Sequence, residues 1–412
     1  MAGPVPRETA ARARKAATSV LDQGLASLAP FAVSILLARS APPAELGSFS
    51  LAYAVLLFAM ALHQGYVIEP MLMRREQGRD PEILAFVHAA SLAPVLAVAV
   101  VAAPLAGLVS GVGAGLTLVA GLAFAALATF AATRRAFYGQ GKPERAVLSS
   151  LAYLALAGGG MWAATRLGAV DATLALAILG LAASLASLPA VLGLARRAPR
   201  QTRGELAGLW ALHRSAGGWL SAAALLSWLP VNSQFIVLSW THGLEASAQL
   251  RAAYNLVLPA QLAIANFSFL LVPALVRRSA DPARFRRMVL QALAFVAGTA
   301  AAYWALLAVG GGFLLDLVYG GRYPGLAGPL RALAALPVLT GAHVVLSSGL
   351  KALHDARGNL AAFALGSLLM PFAVAASWRF GLSGAVGGML AVYLAVDALA
   401  ARRLRAARTP HA

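Results

Sequence analysis

The side chains able to do chemistry in this sequence are few, and they sit inside long apolar runs. Gln23, Ser27, Pro30 and Ser34 recur so that, at 100° per residue, they fall within about 60° of one another on a helix and form one polar stripe. Asp22 lies beside that stripe. Tyr53 and Gln64, eleven residues apart, share a face of the next helix, with His63 nearby and Glu69 toward its end. Glu69 is followed by Pro70, which lacks the N–H that would hold the helix closed, so the carboxylate is placed to coordinate a cation or to pair with Arg74. Asp22 and Glu69 are the candidates for binding a proton or cation reversibly. Asp397 is a third, placed to pair with Arg402 or Arg403.

The second half is richer in amides. Asn232 and Gln234 follow Pro230, while Tyr254, Asn255, Gln261 and Asn266 spread over one broad side of a helix that Pro259 is expected to break. Amides and tyrosine supply paired donors and acceptors without a buried charge, which suits a ligand rich in hydroxyls. Hydrogen bonding between helices is the competing use. Arg39 and Arg251, near helix ends, suit a phosphate-like anion, with snorkelling to an interface as the alternative. His63 has no second histidine at metal-ligand spacing and cysteine is absent, so no metal site and no disulfide is expected. Gly111-Val112-Gly113-Ala114-Gly115 has no strand before it and reads as a turn rather than a phosphate loop. Gly384 and Gly388 read as a packing pair within the chain.

The elements that must hold these residues follow from composition. Of 412 residues, 60% are hydrophobic and 12% charged, against about 25% charged in a soluble domain; mean hydropathy is +0.75. Apolar stretches near 20 residues recur at about 17–38, 47–68, 83–108, 112–133, 146–165, 172–194, 215–240, 249–275, 289–309, 327–349, 359–378 and 383–401, each long enough to cross about 30 Å of hydrocarbon. They are too long and too rich in Ala and Leu for barrel strands, so all twelve are helices. The first, preceded by Arg7, Arg12, Arg14 and Lys15, runs to Ala38, too long for the apolar core of a signal peptide. With a cytoplasmic N-terminus, 27 of the 33 Lys and Arg fall inside and six outside, which accounts for the net charge of +18 without nucleic acid. This placement leaves every Lys and Arg at a helix end or in a connection. The longest connections, about Ala195 to Arg214 and Gly310 to Leu326, leave no room for an extramembrane domain, which disfavours a glycan polymerase or ligase.

An internal repeat organises these helices. Leu37 to Val55 lies on Leu238 to Leu256 at an offset of 201, superposing Tyr53 on Tyr254 and bringing Pro30 within one residue of Pro230. Glu69-Pro70-Met71-Leu72-Met73-Arg74-Arg75 and Val272-Pro273-Ala274-Leu275-Val276-Arg277-Arg278 end the second and eighth helices alike. Six helices separate the copies, so the copies run in the same direction. The expected fold is an all-α polytopic membrane protein, twelve transmembrane helices in two six-helix lobes related by a pseudo-two-fold axis along the membrane normal. Its parts would be a cytoplasmic segment 1–16, a lobe and linker 17–214, a lobe 215–401 and a basic tail 402–412.

Particular strings carry a family likeness. Ser19-Val20-Leu21-Asp22-Gln23-Gly24-Leu25-Ala26-Ser27, Leu36-Leu37-Ala38-Arg39, Glu45-Leu46-Gly47, Leu51-Ala52-Tyr53, Ile68-Glu69-Pro70 and the turn Tyr138-Gly139-Gln140-Gly141-Lys142-Pro143 resemble bacterial polysaccharide-export flippases of the O-antigen type. These form the oligosaccharidyl-lipid branch of the multidrug/oligosaccharidyl-lipid/polysaccharide exporter superfamily. The resemblance implies a non-enzymatic flippase of the bacterial inner membrane, both termini cytoplasmic, serving lipopolysaccharide or exopolysaccharide export. It would move a polyprenyl-pyrophosphate-linked oligosaccharide by alternating access, with no cofactor. Its partners would be that lipid-linked oligosaccharide, membrane lipids and polysaccharide assembly proteins. A cation-coupled multidrug exporter of the same superfamily is the alternative. On the flippase reading Gln23, Arg39, Gln64, Asn232, Gln234, Arg251, Tyr254, Asn255, Gln261 and Asn266 bind substrate, and Asp22 and Glu69 couple an ion.

Overall fold

The computed structural model describes residues 6–70, 113–168, 170–197, 203–353 and 355–406, and among them every regular element is helical. In order these are α1 (Pro6–Ser40), α2 (Pro43–His63), α3 (Ala114–Gly139), α4 (Pro143–Leu167), α5 (Ala172–Arg197), α6 (Arg203–His242), α7 (Leu244–Val276), α8 (Pro282–Tyr319), α9 (Ala327–Leu333), α10 (Leu336–Ala352), α11 (Ala356–Leu368) and α12 (Met370–Ala406). Nine stretches among the described residues are long and apolar enough to cross a membrane. A backbone in hydrocarbon finds hydrogen-bond partners only within itself, which is why these Ala- and Leu-rich runs are helices.

Helix covers every sequence placement except 83–108, which lies outside the described residues together with Arg74, Arg75, Arg79, Gly111 and Val112. The boundaries move. α3 continues past Thr133 to Gly139, and α7 starts at Leu244, behind Gly243 at φ +85°. Pro259 does not break α7, which runs through it and through Pro273; neighbouring helices make such prolines tolerable. The expected long connections contract, because α6 begins at Arg203 and α8 extends to Tyr319. The run at 327–349 divides into α9 and α10, and α12 is interrupted at Gly381 (φ +56°, ψ −133°). A Cβ on Gly384 would lie against the Ala376 carbonyl and one on Gly388 against Ala373, so both glycines serve packing within the chain.

The chain forms two compact units. The first comprises Met1–Ala41 and Leu51–Leu225, the second Pro42–Ser50 and Leu226–Ala412. In the first, α1 packs on α4 and α3 on α5, with the Phe130 and Tyr153 rings 4.7 Å apart. The end of α2 carries a π-helical turn at Gln64–Ile68. Its cause is Pro70, whose ring crowds the carbonyl four residues back and offers it no N–H. That carbonyl, Tyr66 O, accepts from His213 Nδ1 at 2.5 Å instead. Glycines let α2 and α6 meet here, since a Cβ on Gly65 would collide with the backbone nitrogen of Ser221. In the second unit, α7, α8, α10 and α12 bury Leu275, Phe285, Val345, Leu350 and Val396 in one core.

Candidate functional site

In the first unit the polar residues of α1 meet the end of α3. Asp22 is 2% exposed. It accepts from Arg134 Nε at 2.9 Å and Nη2 at 2.7 Å, from Tyr138 Oη at 3.0 Å and from Ser150 Oγ at 2.5 Å. Gln23 Oε1 accepts from Arg134 Nη2 at 3.4 Å, and Gln23 Nε2 reaches Ser27 at 3.4 Å. The Arg134 guanidinium also lies 5.3 Å from the Phe130 ring centroid. The sequence placed Arg134 in a cytoplasmic connection. It is instead inside α3, where the paired carboxylate makes a helical arginine tolerable in hydrocarbon. Farther along, Gln64 Nε2 donates to Glu69 Oε1 at 2.8 Å, so the π-turn ties this amide to the carboxylate.

The second unit gathers most of the amide candidates. Arg251 is only 5% exposed, seven residues inside α7. Its guanidinium lies 4.2 Å from the centroid of Phe235 on α6, and Nε donates to Ser50 Oγ at 3.3 Å. Ser50 and Arg251 are themselves a pair at the 201-residue offset. Beside them, Gln234 is fully buried and its Oε1 accepts from Ser377 Oγ of α12 at 2.5 Å. Asn255 donates to Tyr319 Oη at 3.4 Å, and Tyr319 donates to Ala252 O at 3.0 Å. Tyr254 packs edge-on against Phe235 at 6.0 Å and donates to Gln261 Oε1 at 2.6 Å. Nε2 of Gln234 and Nε2 of Gln261 are buried without a partner among the described residues. The arrangement is a buried guanidinium bonded to Ser50 and stacked on Phe235, in the same unit as two amides with a donor left unbonded among the described residues.

Other candidates stand apart. Asn232 donates to Trp228 O one turn back, at 3.1 Å. Arg39 is exposed at the end of α1, and the Asn266 side chain lies outside those described. Asp397 does not pair with Arg402 or Arg403; its partner is His343, at 3.2 Å. Arg134, Ser150, Ser377, Tyr319 and His343 escaped notice as site residues in the sequence. A long-range ion pair leaves no mark in local spacing, although a histidine inside an apolar run was a usable signal for His343. Among the described residues no group of three or more acidic or histidine side chains could hold a metal ion.

No known protein-family profile and no curated relative matches the chain. Solved structures do. The lipid II flippase MurJ in an inward closed conformation matches with a TM-score of 0.75 at 12% identity, over 94% of this chain and 87% of that one. An inward-facing multidrug resistance MATE family transporter of the MOP superfamily matches at 0.73 and 16%, over 95% and 96%. A Vibrio cholerae MATE transporter matches at 0.65 and 15%, over 97% and 98%. At 12 to 16% identity the likeness concerns the fold: the chain is an all-helical, multi-pass membrane protein with the architecture shared by MATE transporters and MurJ.

Proposed function

We propose that the chain is a flippase that carries a polyprenyl-pyrophosphate-linked oligosaccharide across the bacterial inner membrane by alternating access, with both termini cytoplasmic and no catalytic residue. One observation carries the reading: a guanidinium, Arg251, only 5% exposed, on the membrane helix that carries Tyr254 and Asn255 and packed on Phe235, the neighbour of Gln234 in sequence. Buried positive charge favours an anionic ligand, and amides and phenols match sugar hydroxyls. The fold shared with a lipid II flippase supports it. The likeness to multidrug MATE transporters supports a second reading, export of cationic drugs. The charge balance favours the first, since the buried carboxylate of Asp22 is already paired with Arg134.

The test is reconstitution into vesicles. Exposure of the glycan of a short-chain polyprenyl-pyrophosphate oligosaccharide on the far leaflet is followed with a lectin, beside ethidium flux in the same preparation. Arg251→Gln removes charge-assisted hydrogen bonds worth about 1.5–3 kcal/mol each, so glycan flipping should slow roughly tenfold to a hundredfold. Ethidium movement without glycan movement would replace this function with drug export.

A further inference from the structure

A second buried polar centre lies in the second unit, where α10 and α12 cross. His343 of α10 and Asp397 of α12 are 7% and 9% exposed, and His343 Nδ1 meets Asp397 Oδ1 at 3.2 Å. His343 stands eight residues before Lys351, about 12 Å along the helix, and Asp397 five residues before Arg402. The pair therefore sits within hydrocarbon but close to the basic ends of its helices.

What distinguishes this pair from a structural one is what it leaves unbonded. His343 Nε2 and Asp397 Oδ2 are both buried without a hydrogen-bond partner among the described residues. The neighbouring polar groups of α10 are all satisfied. Thr340 donates to Leu336 O at 3.0 Å, Ser347 to Asn359 Oδ1 at 2.8 Å and Ser348 to Val344 O at 2.6 Å. A helix that closes its hydroxyls so completely has left two strong polar atoms open at one point. Such orphans are costly to bury and call for an explanation.

We propose that His343 and Asp397 form a proton-binding site, and that a proton is the coupling ion of the transport cycle; the second half of this statement rests on the transport function proposed above. With Nδ1–H donated to the carboxylate and Nε2 bare, the pair carries one negative charge. One proton, taken by Nε2 or by the carboxylate, makes it neutral overall. A net charge sealed in hydrocarbon is costly, so the sealed pair holds its proton, and release requires water to reach it. Alternate wetting of this point would move one proton per cycle.

The surroundings suit a proton and no larger cation. Among the described residues the titratable group facing the pair besides its own members is Tyr393 of α12, whose ring lies 6.3 Å from that of His343; Tyr254 of α7 acts on Tyr393 in turn. From α11 the Phe363 ring packs edge-on at 4.7 Å. From α8 and α7 the contacts on α10, at Gly341, are Val296 and Ile264. A metal cation would need several oxygen ligands; one turn along α10 Ser347 and Asn359 already bond each other, and Phe363, Val296 and Ile264 offer none.

The experiment has two arms on the full chain in lipid. In the first, nitrogen-15 histidine spectra are recorded in nanodiscs from about pH 4 to pH 10, with His343→Gln identifying the His343 signal among the seven histidines. His343 should titrate within this range, and its curve should move by about tenfold in proton concentration in Asp397→Asn, the size expected for loss of an adjacent charge. In the second, vesicles loaded with a pH dye report proton movement during flux of the lipid-linked glycan or of ethidium. Proton movement should be lost in Asp397→Asn and His343→Gln and restored in Asp397→Glu. A His343 signal that does not titrate, or that is indifferent to Asp397→Asn, overturns the site. Proton movement unchanged in both variants, or flux driven by sodium alone, overturns the coupling. A titrating pair with proton-linked ethidium flux and no glycan flux upholds the proposal and refutes the glycan as substrate.

Discussion

Removing one partner of the Asp22–Arg134 pair should cost more than removing both. Asp22 accepts four hydrogen bonds, two of them from one guanidinium in bidentate geometry, and the two side chains are 3% and 12% exposed. Arg134→Met leaves a carboxylate with Tyr138 and Ser150 as its donors and only the unbonded charge of Arg135 nearby, a loss of about 3–5 kcal/mol by the usual cost of orphaning a buried charge. Asp22→Asn keeps the hydrogen-bonding shape but strands the guanidinium against Phe130, and should cost about 2–4 kcal/mol on the same argument. The double variant lacks the buried ion pair, and the amide that replaces the carboxylate at position 22 can still bond Tyr138 and Ser150. It should lie within about 1–2 kcal/mol of the parent, giving a coupling energy of at least about 2 kcal/mol. Unfolding by SDS titration, followed by far-ultraviolet circular dichroism, measures all four corners. Additive single losses, or an Arg134→Met cost below about 1 kcal/mol, would mean that the pair is hydrated and that its bonds do not hold α1, α3 and α4 together.

Three further outcomes follow from local geometry. Gly65→Ala drives a methyl into the backbone of Ser221 and should destabilise the first unit by about 1–3 kcal/mol through overpacking, read by the same titration. Gly381→Ala forces a side chain into φ +56°, ψ −133° with the His242 ring 3.3 Å away, and should cost about 1–3 kcal/mol in strain. In intact cells a cysteine at position 142 should resist an impermeant maleimide while one at position 167 is labelled; the native chain has no cysteine to confuse the result. The reverse pattern would invert the topology.

The helices were legible because hydrocarbon imposes one rule on every backbone group. Runs such as 146–165 and 172–194 fall within α4 and α5 with little change. The backbone disturbance before Pro70 was legible too, because Pro70 has no N–H to offer the carbonyl of Tyr66. Pairings across the chain were not. Asp22 finds Arg134 at a separation of 112 residues and His343 finds Asp397 at 54. Hydropathy treats each of these residues as an isolated defect in an apolar run, and only the fold shows that the defects cancel in pairs.

The boundaries matter most at Arg251. Starting the helix at residue 249 makes this arginine a rim residue, free to snorkel; starting it at Leu244 places it two turns inside. The cause is the turn at Gly243, whose positive φ lets α6 pass into α7 without a loop, so that Glu245 and Ser247, polar enough to look like a connection, are already helical. A guanidinium at that depth keeps its charge, which is why it needs Phe235 and Ser50 around it. A rim arginine would attract any anion at the membrane surface. On the proposed function, a buried one would meet the ligand's negative charge inside the protein, on the helix that also carries Tyr254 and Asn255. The same shift of the helix start, from residue 249 to Leu244, therefore buries Arg251 within the helix that carries Tyr254 and Asn255, where the sequence had set it on a rim.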